Sequence, residues 1–237
     1  MNNRKKIISI LIAATLTLSL AACNRSGTGN KDADAALKSF NTIVSAYPDN
    51  KGFHKTLQHW GFKLPSGDKF EWTKDTSANK IDYAMVLLAD PFIEAGLDVK
   101  KLDANEWVYK PAEVEAGVQL PNRLIRTYNV SDKRDTSIDS EDALRRLFKQ
   151  DPSIVKYHED QKHYRLILGD GFETQWTEKL GLNNADISFV IKSDGLVSAG
   201  VDIKKLEASG WIFKAAGKDP NGMGDNPNQL VKIYTLK

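Results

Sequence analysis

The sequence predicts an α+β protein of two tandem repeats, each a helix packed on an antiparallel sheet of about five strands, related by a pseudo-twofold axis. Three observations predict it. The chain repeats at a fixed offset of 104 residues, and residues 60–112 match 164–216 without a gap at 18 of 53 positions. Each copy opens on an amphipathic helical stripe. Apolar residues then recur in steps of two, the period of a strand with one buried face.

In the first copy Ala36, Leu37, Phe40, Ile43, Val44 and Tyr47 form one helical stripe, stopped before Pro48. In the second, Ala143, Leu144, Leu147 and Phe148 repeat it, with Ser140 as the expected N-cap and Glu141 and Asp142 in the first turn. After the proline comes a less regular segment that holds all four histidines. Strand signals follow: Trp60, Phe62 and Leu64; Phe70 and Trp72; then Tyr83, Met85 and Leu87, matched by Ile187, Phe189 and Ile191. Trp107-Val108-Tyr109 and Leu124 to Val130 supply two more. The opposite row of the third strand, Ala84, Val86 and Leu88, becomes Ser188, Val190 and Lys192, which predicts a wetter sheet face in the second copy.

Between the third and fourth strands, Asp90 to Gly96 reads as a short helical turn capped by Asp90, with Pro91 at its first position and Gly96 as its stop. Asp98 is the expected cap of a second turn, and Asp202 repeats it. Pro121-Asn122-Arg123-Leu124 returns as Pro227-Asn228-Gln229-Leu230 after a two-residue insertion, which carries the repeat into its last strand. The plan is similar in general type to that of beta-lactamase inhibitory proteins, a likeness of architecture without a shared motif.

The N-terminus sets the location. Arg4, Lys5 and Lys6 precede an uncharged apolar run from Ile7 to Ala22, 16 residues long, too short for a membrane span and flanked as a signal peptide is. The run ends in Leu20-Ala21-Ala22-Cys23, which resembles the lipobox of bacterial lipoproteins. That resemblance implies a diacylglyceryl group on Cys23 and cleavage before it. It places the protein on a bacterial membrane, lipid-anchored and facing outside the cytoplasm, in the periplasm or at the cell surface. Cys23 is the only cysteine, so no intramolecular disulfide forms and the fold rests on its cores. The expected organisation is a signal peptide over 1–22, a polar tether over 23–33, one repeat over 34–131 and the other over 138–237.

Without Arg4, Lys5 and Lys6 the chain carries 30 basic against 31 acidic residues, which gives no electrostatic footprint for nucleic acid. No Gly-x-Ser-x-Gly elbow, phosphate loop or dinucleotide fingerprint is present, so no cofactor is expected. His158 and His163 lie five apart, whereas a helical zinc-protease pair needs a spacing of four. The 219–228 loop is rich in oxygen side chains, but Leu230 stands where a calcium loop would carry its bidentate glutamate. No metal site is expected.

Two sets of residues stand out as candidate ligand contacts. The histidines form repeat-matched pairs, His54 with His158 and His59 with His163, inside Phe53-His54…His59-Trp60 and Tyr157-His158…His163-Tyr164. They read as a ligand site in each copy or, with more weight, as structural imidazoles. Trp107 and Trp211, each following a capped turn, read as aromatic platforms or, with more weight, as core residues. Equal units without a motif confined to one copy suit a non-enzymatic binder of a protein, peptide or glycan. The alternative is an envelope hydrolase with a carboxylate or histidine base at no located position.

Overall fold

The computed structural model describes residues 29–55, 57–74, 81–115, 117–129, 140–150, 152–169, 171–218 and 225–237. The signal peptide, Cys23, the linker 131–139 and the tip of the 219–228 loop lie outside these. Helix α1 (Gly29–Ala46) begins inside the stretch expected as tether, and Ala33, the last residue of that stretch, is already buried.

The first sheet comprises β1 (Lys51–His54), β2 (His59–Lys63), β3 (Lys69–Thr73), β4 (Tyr83–Leu88), β5 (Val108–Lys110) and β8 (Arg123–Tyr128), in the order β1-β2-β3-β4-β8-β5. A separate hairpin, β6 (Glu113–Glu115) with β7 (Val118–Leu120), precedes β8. Between β4 and β5 lie the short helix α2 (Asp90–Glu94) and a 3-10 turn at Val99–Lys101. The second unit repeats this plan. Helix α3 (Ser140–Gln150) leads into β9 (Val155–His158), β10 (His163–Ile167), β11 (Glu173–Thr177) and β12 (Ile187–Lys192). Helices α4 (Asp194–Ser198) and α5 (Ile203–Glu207) precede β13 (Trp211–Lys214), the hairpin β14 (Gly217–Lys218) with β15 (Asp225–Asn226), and β16 (Gln229–Tyr234). Its order, β9-β10-β11-β12-β16-β13, is that of the first sheet, and every strand pairing in both is antiparallel. Each sheet thus has six strands. The strand added to the expected five is β1 or β9, the irregular histidine segment.

The capped turns divide into one confirmation and one correction. Asp98 accepts from the Lys100 N–H at 3.1 Å and Asp202 from the Lys204 N–H at 2.9 Å, as their spacing predicts. Asp90 does not cap α2: its carboxylate accepts from the Asn122 side chain at 2.7 Å, and Asp194 accepts from Asn228 at 2.9 Å in the same way. Both acids tie the short helix to the turn before the last strand.

One continuous core lies between the two sheets. Phe70 meets Phe189 edge-on at 6.3 Å, and the Tyr83 hydroxyl bonds Thr174 Oγ1 at 2.6 Å. Each helix packs on its own sheet and also bonds to the other: Phe40 of α1 meets Phe70 and Trp72, and Phe148 of α3 stacks on Trp176. Trp72 of the first sheet donates its indole N–H to the Ser140 carbonyl of α3, and Trp176 of the second donates to the Ala36 carbonyl of α1. Residues 36 and 140 are themselves repeat equivalents, so the exchange is reciprocal. Phe40 of α1 packs on Phe70, Trp72 and Trp176 at once.

Asp68 and Phe172 occupy matched positions and solve the same interface differently. Asp68 is buried and accepts from Lys232 Nζ and Tyr234 Oη, both at 2.8 Å. Phe172 receives the Arg126 guanidinium over its ring at 3.5 Å, with Tyr128 beside it. Burial and the adjacent Asp68 carboxylate push the Tyr234 hydroxyl far above its ordinary pKa, so it donates at every physiological pH.

Candidate functional site

The matched histidines close two hairpins. His54 sits directly across from His59 on β1–β2, and His158 across from His163 on β9–β10. The first of each pair receives the turn: His54 Nδ1 accepts from the Leu57 N–H at 3.1 Å and His158 Nδ1 from the Gln161 N–H at 3.3 Å. Gln58 and Lys162 take the left-handed conformation at matched places in these turns, with φ of 54° and 53°. The second of each pair is buried. His163 Nε2 bonds the Ala185 carbonyl at 2.7 Å, and His59 Nδ1 faces Glu71 Oε2 at 3.4 Å. Among the described residues no group of three or more histidine, cysteine or acidic side chains converges as a metal site would require.

The tryptophans offer no platform. Trp107 and Trp211 are 2% and 1% exposed, and their rings pack edge-on against Phe172 and Phe92 across the unit boundary. This is the core role, which a duplicated fold retains at fixed spacing.

The two copies differ on the outer face of each sheet. In the first unit the hairpin β6–β7 is held against the sheet by two polar contacts. His54 Nε2 lies 3.1 Å from Glu115, and Arg123 pairs with Glu113. Beneath them Glu71 is shared between His59 and Lys69. Burial pushes the Glu71 carboxyl up, but the hydrogen bond from His59 and the charge and hydrogen bond of Lys69 outweigh it and hold the pKa down at about 2.

The second unit has no counterpart of the Glu113–Arg123 pair, and Asp219, the match of Glu115, lies outside the described residues. Gly61, Lys69, Glu71, Glu113 and Arg123 are replaced at the matched positions by Arg165, Glu173, Gln175, Gly217 and Gln229. Arg165 grips Glu173 through Nε and Nη2, both partners buried, and Gln175 Nε2 donates to the same carboxylate at 2.7 Å. Ser188 reaches Gln175 at 3.4 Å, and Ser188 and Val190 are as buried as Ala84 and Val86. The expected wetter row is therefore not found: the polar replacements are absorbed into a hydrogen-bonded floor. Above this floor, beneath β14–β15, lies a cleft of about 250 Å³ bordered by His158, Lys214, Lys218 and Gln229. Gln229 is buried along its stem, while its amide opens to the cleft and has no protein partner among the described residues.

A larger groove of about 710 Å³ runs along α1 and α3, lined by Lys38, Thr42, Ser45 and Glu141. These side chains stand in solvent, and among the described residues no buried polar group lines the groove.

Of the cleft lining, His158 was singled out as a candidate ligand contact and Val190 as part of a strand row; the other polar residues belong to neither an apolar period nor a motif. The signal that finds them is the difference between copies: outward positions where charge appears, vanishes or reverses. Comparison with protein-family models, curated proteins and solved structures gave no match.

Proposed function

We propose that this chain is a lipid-anchored cell-envelope protein that acts by binding, and that the ligand site is the outer face of the second unit. The lipobox ending in Cys23 supports the anchoring and the location outside the cytoplasm. One observation carries the binding role: Glu113 ties Arg123 on the outer face of the first unit, whereas Gly217 and Gln229 stand at those positions in the second and border a cleft into which the Gln229 amide opens.

The test is site-specific photocrosslinking in intact cells. A photoreactive side chain at Lys218 should capture a ligand, whether protein, peptide or glycan, and the same group at Val114 on the first unit's hairpin should not. Equal labelling at both positions, or at neither, refutes the placement.

A further inference from the structure

The ligand's chemistry can be read from the cleft, an inference that rests on the binding role above. Its charges do not balance: Arg165, Lys214 and Lys218 line it against one carboxylate, Glu173. That carboxylate is already saturated, since both of its oxygens receive Arg165 and one also receives Gln175. Lys214 and Lys218 have no acidic partner among the described residues. Asp225 stands opposite Lys218 across β14–β15 but does not line the cleft. A cleft with one sign of charge in excess focuses its field and favours an anion.

The remaining lining narrows the class. Gln161, Asn226 and Gln229 add amides, each offering both a donor and an acceptor, the complement of adjacent hydroxyl groups. The Gln229 amide lacks a protein partner among the described residues and opens to the cleft, where a ligand can bond it. The apolar lining is Val190, Val231 and Ala215, without a phenyl or indole ring, which gives an acyl chain or flat aromatic little to pack against. The volume, about 250 Å³, lies just below the range of about 300–1,000 Å³ usual for larger ligands.

We infer that the cleft binds a single acidic sugar unit, its carboxylate against Lys214 and Lys218 and its hydroxyls on the Gln229 amide and its neighbours. The first unit does not share this property. At the matched face Glu113 occupies Arg123, and the hairpin strands carry Glu113 and Glu115, which repel an anion.

Calorimetric titration of the full chain in detergent, with D-glucuronate, D-glucose and acetate as probes, tests the assignment. Glucuronate should bind at least about tenfold more tightly than either other probe, because each of them lacks one half of the recognised chemistry. Lys214→Gln with Lys218→Gln should lower glucuronate affinity at least about tenfold, and both are surface changes that leave the fold intact. Gln229→Leu should weaken it comparably. Glucose binding as tightly as glucuronate, insensitive to the lysine changes, overturns the acidic class. Acetate binding as tightly overturns the sugar. No binding by any probe overturns the acidic sugar altogether, while crosslinking at Lys218 decides separately whether the cleft binds a ligand.

Discussion

Gly96 and Gly200 face each other across the pseudo-twofold axis at van der Waals distance. A Cβ built on either would lie 2.8 Å from the other's carbonyl oxygen, and both have φ near +105° (+105° and +104°). On either side the Asp98 N–H donates to the Ala199 carbonyl and the Asp202 N–H to the Ala95 carbonyl, both at 2.8 Å. Backbone meets backbone here, so no side chain can give way.

Replacing Gly96 or Gly200 with alanine should therefore destabilise the protein by about 3 kcal/mol, combining left-handed strain of about 1–2 kcal/mol with the clash. The two single changes should cost nearly the same, and together less than their sum, because one displacement relieves both. Urea unfolding of the three variants checks this.

The Asp68–Lys232 and Phe172–Arg126 contacts are alternative solutions at one matched position. Asp68→Ala should cost about 3–5 kcal/mol, since it strands a mostly buried ammonium. Asp68→Phe combined with Lys232→Arg copies the other unit's pair. The double variant should be more stable than the sum of the single effects by about 1–3 kcal/mol. A double-mutant cycle by thermal unfolding measures that coupling.

Glu71 supplies the pH dependence. Its folded pKa, about 2, lies below its ordinary value of 4.5, so the folded state favours the ionised form. The associated stability, about 3 kcal/mol, is fully present above pH 4.5 and is lost as pH falls toward 2. Glu71→Gln should flatten the stability profile across that window. An acid limb as steep as the parent's would contradict the assignment.

Trp107→Ala and Trp211→Ala should each cost about 3–5 kcal/mol, because each empties a core position shared by both units. Denaturant midpoints give the comparison.

Cys23→Ser should abolish metabolic labelling by an alkyne fatty acid. Label retained in the serine variant would remove the basis for membrane anchoring.

The pairing of Trp72 with Trp176, the capping by Asp98 and Asp202, and the strand alternation were legible because burial and turn geometry impose fixed spacings on sequence. Strand β1 was not, since Phe53 is its one apolar residue. The hairpin β6–β7 was not, because Val114 and Val118 are exposed and follow no buried period. A stripe such as Ala36, Phe40 and Ile43 shows which helix face is buried, not every sheet it meets, so the added contacts of α1 and α3 with the other unit escaped periodicity. The histidine pairs were visible as a repeated pattern, and the structure shows their turn-closing contacts. Gln229 and Arg165 escaped because a recognition surface carries no folding period. Their trace is the divergence between two otherwise matched copies.

The reciprocal tryptophan bonds to Ser140 and Ala36 have a consequence for variation. Two identical chains meeting across such an axis would receive every substitution twice, so an acid introduced on one side would also appear on the other. Joined in one polypeptide, the halves accept changes singly. Position 68 can carry a carboxylate for a lysine while position 172 carries a ring for an arginine. One outer face can be sealed while the other stays open, at no cost to the contacts that hold the halves together.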